Sequence, residues 1–134
     1  WSGGRQMTAH FNDMARNTLP IQSALGMQIS KSVGYAQGLR HKGHQSAVVK
    51  CIIGDGTCAE GDLHEGMTGA SILQLPWLLT ITDNQVAISV KPEDGRGIRD
   101  FEAVDALARS IGFTLAEDLA MPANNRCLSW CRGA

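Results

Sequence analysis

The feature that most constrains the fold is a strand–helix–strand pattern in the middle of the chain. An apolar run at 47–53 is broken only by Lys50, which is the pattern of a strand buried on both faces of a parallel sheet. Apolar residues then recur at helical spacing from about 60 to 73, and Pro76 precedes a second apolar run at 77–82. Successive parallel strands need such a crossover, which is right-handed in nearly all proteins. The sequence therefore predicts an α/β protein with a parallel sheet flanked by helices.

The flanking segments extend this pattern. Periodic apolar residues predict a helix from about 21 to 41 and another from about 100 to 111, and 113–116 reads as a short strand. Loops are predicted over 1–20, 57–61 and 83–97, where glycine, proline and polar residues are frequent. No periodicity indicates an element beyond residue 121. We therefore expect a folded core over 1–120 and a tail of uncertain structure over 121–134.

Composition limits the class of protein. The chain has 134 residues, 43% of them hydrophobic and 19% charged, which suits one globular domain. No apolar run approaches the roughly 20 residues that a membrane-spanning helix needs. Twelve basic and 13 acidic residues give a net charge of −1, whereas nucleic-acid binding usually shows as a basic excess. We expect neither a nucleic acid nor a membrane as partner.

The four cysteines, Cys51, Cys58, Cys127 and Cys131, suggest a reducing compartment. Their spacing forms no disulfide framework, and Cys127 and Cys131 lack the CxxC pairs and nearby histidines of common zinc modules. No signal peptide is recognisable. We therefore expect a cytoplasmic or mitochondrial matrix protein that is not secreted. The chain begins with Trp1 rather than Met, so we expect either a processed product or a fragment of a longer chain, and we favour the fragment.

Polar residues follow both predicted strands at the point where each strand ends. Gly54, Asp55 and Gly56 come after the first strand, and Asn84 comes after the second. Parallel strands end at one edge of a sheet, where open α/β sheets bind ligands, so Asp55 and Asn84 should lie close together. Their oxygens suit Mg²⁺, and the glycines would let a phosphate approach backbone N–H groups. The alternative is two ordinary turns, since Gly-Asp-Gly and Asp-Asn are both common in turns.

Four stretches resemble a known family. They are GGRQMTAHF at 3–11, ALGMQISKSVGYA at 24–36, GDGTCAEGDLHEG at 54–66 and DNQVAIS at 83–89. The third and fourth resemble the thiamine diphosphate signature. All four, in this order, resemble the alpha subunit of the decarboxylating component of 2-oxo acid dehydrogenase complexes, with the branched-chain type most similar. The resemblance implies part of a thiamine-diphosphate-binding fold.

The resemblance also implies roles for individual residues. Mg²⁺ would be held by the Asp55 carboxylate, the Asn84 side chain and the main-chain carbonyl of Val86. The cofactor would be contacted by six residues: Gly54, Gly56 and Thr57 at the diphosphate, Leu25 and Gly26 at the aminopyrimidine ring, and Ile88 near the thiazolium. His10 lies in the first stretch and is a weak catalytic candidate, since a structural role in the loop is favoured.

The activity that the resemblance implies is oxidative decarboxylation of a 2-oxo acid with acyl transfer to lipoamide. It implies a beta subunit as partner in a heterotetramer, and a lipoyl-bearing acyltransferase within the complex. Relatives often carry Asn where this chain has Asp83, and Met27 lacks the oxygen found in a potassium-binding run of branched-chain relatives. The later histidine-bearing loop and an upstream arginine segment are not recognisable, so we expect no turnover from this chain alone.

Two alternatives stay open. One is another thiamine diphosphate enzyme, transketolase-like or acetoin-cleaving. The other is a truncated, non-catalytic relative that acts as a structural or interaction subunit.

Overall fold

The computed structural model describes residues 3–7, 10, 12–88, 90, 91, 94, 101–121 and 126–132, with the backbone alone at 101 and 132. Three helices and four strands follow one another in the order α1 (Met27–His41), β1 (Val49–Gly54), α2 (Gly61–Ile72), β2 (Trp77–Asp83), α3 (Phe101–Ser110), β3 (Phe113–Ala120) and β4 (Arg126–Arg132). Short 3-10 turns occupy Met14–Arg16 and Asp55–Ala59. None of the helices in the described segments is both long and apolar enough to cross a lipid bilayer.

The central strand–helix–strand unit is confirmed. β1 and β2 pair in parallel, from Val49 opposite Trp77 to Gly54 opposite Thr82, and α2 connects them. The Thr82 hydroxyl donates to the Ile53 carbonyl at 3.1 Å, which links the ends of the two strands. Both strands therefore end at the same edge of the sheet, as the apolar runs predicted.

The sheet as a whole is mixed, with strand order β1-β2-β4-β3. β4 lies between β2 and β3 and runs antiparallel to both. It belongs to the segment for which the sequence indicated no element, and β3 is also longer than the predicted strand at 113–116. Only Leu128 and Trp130 of β4 alternate as apolar side chains on one face, which is too short a pattern to be recognised.

β1 was predicted to be buried on both faces, and this prediction is wrong. Val49, Cys51 and Ile53 are buried, whereas Lys50 is exposed and Ile52 is 57% exposed. α1 packs on the face of β1 that carries Cys51, whose Sγ lies 3.8 Å from the Gln28 carbonyl, and Lys50 and Ile52 lie on the opposite face. The apolar run thus marks a strand correctly but overstates its burial.

Two tryptophans attach helices to one face of the sheet. Cys51, Leu79 and Trp130 are neighbours across β1, β2 and β4 and so share this face. The Trp77 indole on the same face donates to the Ser32 hydroxyl of α1 at 2.8 Å. Trp130 donates to Asp105 of α3 at 3.0 Å. Both indole rings are buried, and each finds a partner for its N–H, so α1 and α3 are anchored where the core is largest.

α1 begins at Met27 rather than near residue 21 because Gly26 turns the chain. Its φ of +86° lies in the left-handed region, which only glycine adopts freely. α1 then packs on α2, where Gly66 lies so close to Ile29 that a Cβ on Gly66 would clash with it. α3 matches the prediction of a helix over about 100–111. Residue 100 lies outside the described residues, and so do residues 89, 92, 93 and 95–97 of the loop predicted over 83–97.

Candidate functional site

A cavity of about 920 Å³ opens at the edge where β1 and β2 end. Its wall includes most of the residues for which the sequence suggested a role: Leu25, Gly54, Asp55, Gly56, Thr57, Asn84, Val86 and Ile88. The structure therefore brings the two strand-end motifs together, 29 positions apart in sequence, with Leu25 before α1 as a third wall.

Two suggested residues lie elsewhere. Gly26 is buried beside the cavity but not in its wall, and an ideal Cβ on it would meet Asp62 at 3.0 Å. Its part is to turn the chain into α1. His10 is half-buried in the N-terminal loop, where its backbone N–H donates to the Met7 carbonyl at 3.1 Å, and it does not line the cavity.

Asp55 is the most unusual group in the cavity wall. The residue is only 3% exposed, and its Oδ2 has no hydrogen-bond partner among the described residues. Burial raises the pKa of this carboxyl, and the charge of Asp83 raises it further, while backbone N–H groups of Asn84 and Gly56 offset part of the shift. A buried carboxylate oxygen without a partner is costly, so this site favours a ligand that supplies positive charge.

The turn after β2 is shaped by its own side chains. Asp83 Oδ1 accepts a hydrogen bond from the Gln85 N–H at 2.8 Å, and Asn84 Oδ1 accepts one from the Val86 N–H at 3.0 Å. These bonds between side chains and the backbone two residues later are the pattern of an Asx turn. They hold Asn84 and the backbone of Val86 at the cavity edge, although the Asn84 side chain itself stays exposed.

Ile88 has a strained backbone at the mouth of the cavity. Its φ is +62°, an outlier for a β-branched residue, and its side chain is 94% exposed. Reciprocal backbone bonds between Ala87 and Val90, of 2.8 and 3.0 Å, hold the turn that forces this conformation. Backbone strain of this kind is concentrated at functional sites, and here it lies in the cavity wall.

Gly56 lets the two motifs approach each other. A Cβ on Gly56 would lie 2.7 Å from Ala87 Cβ and 3.3 Å from Ala87 Cα. The backbone after β1 thus packs directly on the turn after β2. Thr57, next in the 3-10 turn, is only 2% exposed. This close approach brings Asp55 near the backbone of Asn84.

Ten residues of the cavity wall received no role from the sequence: Gln28, Ile52, Ile53, Thr82, Asp83, Ala87, Val90, Met121, Arg126 and Cys127. Three of them, Met121, Arg126 and Cys127, lie on or beside β4, and no pattern could find them because that strand was not predicted. Gln28 is notable because its Oε1 is buried and, within the described part of the chain, has no hydrogen-bond partner. Asp83 was noted from the sequence only because relatives often carry Asn at this position. Its position at the end of β2, next to Asn84, was a sufficient signal that it would line the cavity.

Cys58 lies next to the acidic end of the cavity. Burial, followed by the charges of Asp55 and Asp83, raises the pKa of its thiol to about 12. Cys58 is therefore a protonated, inert thiol at neutral pH rather than a nucleophile. The smaller, coulombic part of this pKa shift shows that Asp55 and Asp83 make this end of the cavity negative.

The donor set suits a hard cation with incomplete protein ligation. Within the segments that the structure describes, no three His, Cys, Asp or Glu side chains form a group that could hold a metal ion. The cavity offers carboxylates at Asp55 and Asp83, an amide oxygen at Asn84 and main-chain carbonyls. Mg²⁺ takes one or two carboxylates and completes its octahedron with phosphate and water, so these residues fit it.

Comparison with known proteins identifies the family. A family model described as the dehydrogenase E1 component matches residues 1–112. The chain belongs to the dehydrogenase E1 component family. The resemblance stated from the sequence is thereby confirmed, and β4 with its cavity residues Arg126 and Cys127 lies beyond the matched part.

Relatives of this E1 component chain are alpha subunits. The Homo sapiens mitochondrial 2-oxoisovalerate dehydrogenase subunit alpha is 36% identical over 86 residues, which cover 64% of this chain and 19% of that protein. The Mycoplasma genitalium pyruvate dehydrogenase E1 component subunit alpha is 35% identical over 114 residues, 83% of this chain and 30% of that protein. The Bacillus subtilis 2-oxoisovalerate dehydrogenase subunit alpha is 36% identical over 90 residues, which cover 66% of this chain and 27% of that protein. This chain thus spans about a fifth to a third of the length of these relatives.

Proposed function

We propose that this chain binds thiamine diphosphate with Mg²⁺ at the edge of its sheet, as the cofactor-binding part of a 2-oxo acid dehydrogenase alpha subunit. The observation that carries the proposal is the buried Asp55 carboxylate, whose Oδ2 is unpartnered among the described residues in the cavity where both strand-end motifs meet. In this proposal Asp55, Asn84 and the Val86 carbonyl hold the cation.

The cofactor would occupy the rest of the cavity. Gly54, Gly56 and Thr57 form the turn after β1, where backbone N–H groups could receive the diphosphate. The apolar side chains of Leu25 and Ile88, at the opposite wall and the mouth, would contact the two rings. When bound, thiamine diphosphate supplies the carbanion chemistry by which 2-oxo acids lose carbon dioxide.

The residues of the cavity support a binding role more than a complete active site. Among the described residues that line the cavity there is no histidine, lysine or glutamate. Proton transfer in the reaction therefore needs groups from elsewhere. We propose that a beta subunit supplies them in a heterotetramer, and that the acyl group passes to a lipoyl-bearing acyltransferase. The compartment would be the mitochondrial matrix or the cytoplasm.

Calorimetry tests the proposal directly. Thiamine diphosphate is titrated into the protein with excess Mg²⁺ and, separately, with EDTA. We expect binding only with Mg²⁺. Asp55→Ala should abolish it because the cation loses the buried carboxylate that has no other partner among the described residues.

Glu65→Gln is the matched control, since Glu65 is an exposed acidic residue on α2 away from the cavity. It should bind as the original chain does. Unchanged thiamine diphosphate affinity in Asp55→Ala, with the fold intact by circular dichroism, would refute the proposed site.

A further inference from the structure

Two carboxylates are buried side by side at the cation end of the cavity. Asp55 and Asp83 are each 3% exposed, and both line the cavity. Asp55 Oδ2 has no partner in the described part of the chain, while Asp83 Oδ1 accepts from the Gln85 N–H. Two like charges buried together destabilise the protein unless a positive charge lies between or beside them.

The only basic side chain among the described residues of the cavity wall does not balance both acids. Arg126 on β4 stands opposite Asp83 in register. Its guanidinium makes a two-point contact with Asp118, with Nε to Oδ1 at 2.7 Å, and both Asp118 and, more weakly, Asp83 raise the Arg126 pKa. One guanidinium is thus shared by Asp118 and Asp83, and Asp55 is left with backbone N–H groups alone.

We propose that Asp83 and Asp55 together let this chain hold a divalent cation before, and without, the diphosphate. The inference rests on the proposed cation site and adds a residue to it. With the Asp55 carboxylate and a neutral Asn at position 83, half of the charge of the divalent cation would remain to be balanced by the diphosphate. With two carboxylates the protein itself neutralises the cation, so loading of the cation and loading of the diphosphate become separate steps.

The variant Asp83→Asn isolates the charge. Asn keeps an oxygen that can accept the Gln85 N–H, so the turn that positions Asn84 and Val86 is retained. Because it removes one of two repelling charges, the variant should melt at or above the original temperature in the absence of cations. Cation binding and apo stability therefore change in opposite directions, which a simple loss of structure would not produce.

The test is a titration of the whole chain with Mn²⁺ alone at pH 7.5, in which free Mn²⁺ is measured by electron paramagnetic resonance. We expect one Mn²⁺ to bind without any diphosphate, and Asp83→Asn to weaken that binding by about tenfold or more, the scale of one unit charge at close range. Added thiamine diphosphate should narrow the gap between the two proteins. Glu65→Gln serves as the control and should match the original chain.

The inference is overturned if the original chain binds no Mn²⁺ until diphosphate is added, or if Asp83→Asn binds Mn²⁺ alone as tightly as the original. The first result needs no variant, so it stands even if Asp83→Asn folds poorly. If Asp55→Asn abolishes binding of Mn²⁺ with thiamine diphosphate while Asp83→Asn changes nothing, the proposed function survives and this inference fails. If Asp55→Asn also changes nothing, the proposed function fails as well.

Discussion

The contact between Gly56 and Ala87 gives a stability prediction that can be worked from the structure. In Gly56→Ala the new Cβ would lie 2.7 Å from Ala87 Cβ, whereas carbon atoms in contact prefer about 3.5–4.0 Å. The overlap of about 1 Å must be relieved by moving the turn after β2 away from β1. Overpacking of this kind costs about 1–3 kcal/mol of unfolding free energy.

Gly54→Ala is the matched control within the same motif. Gly54 has an extended backbone with φ −90°, and a Cβ on it would meet nothing within 4 Å. We expect its unfolding free energy to be unchanged or slightly higher, because alanine restricts the unfolded chain. The assay is urea denaturation followed by tryptophan fluorescence, since Trp77 and Trp130 are buried. A loss of about 2 kcal/mol would lower the midpoint by roughly 1 M.

A double-mutant cycle separates the clash from a general effect of alanine at position 56. Ala87→Gly removes the Cβ at 2.7 Å and leaves only the Cα at 3.3 Å, so Gly56→Ala should cost much less in that background. We expect a coupling of about 1–2 kcal/mol. The reasoning is refuted if Gly56→Ala behaves like Gly54→Ala, or if Ala87→Gly gives no rescue.

Two further predictions concern the cavity mouth and the buried thiol. Ile88→Gly should raise the unfolding free energy by about 1 kcal/mol, because glycine relieves the left-handed φ of +62° and almost no buried surface is lost. Val86→Gly is the control: Val86 has no such φ, so this variant should have a lower unfolding free energy. A lower urea midpoint for Ile88→Gly would contradict the prediction. Cys58, with a pKa of about 12 against 9.0 for the ordinary thiol, should hold about a thousandfold less thiolate at pH 8 and resist iodoacetamide. Mass spectrometry of the native protein and of the same chain in urea checks this, and equal labelling in both would show that the thiol is not perturbed.

The strand–helix–strand unit and the meeting of its two motifs could be predicted because both depend on local patterns. Apolar runs mark β1 and β2, helical spacing marks α2, and parallel pairing then brings Asp55 and Asn84 to one edge. Nothing beyond the period of the apolar residues and the handedness of crossovers was needed. The α/β class followed from the same residues, whereas the family rested on the resemblance of four stretches, two of which, at 3–11 and 24–36, lie outside this unit.

The rest depended on contacts between distant parts of the chain. β4 enters the middle of the sheet because Leu128 and Trp130 pack beside Leu79 and Ile81, and a short stretch between polar residues does not reveal that pairing. The one-sided burial of β1 follows from the packing of α1 on the face that carries Cys51, a contact between distant parts of the chain. For the same reason Arg126 could not be placed in the cavity wall from the sequence.

The central position of β4 has a consequence for the order in which the protein folds. β1 and β2 pair across 28 positions, whereas Leu79 and Trp130 pair across 51, so the β4 contacts close a longer loop and form more slowly. Until β4 docks, β2 presents an unpaired edge next to the buried Leu79 and Ile81, and β3 has no neighbouring strand among the described ones. Such an edge pairs readily with another chain, so recovery on refolding should fall as the protein concentration rises.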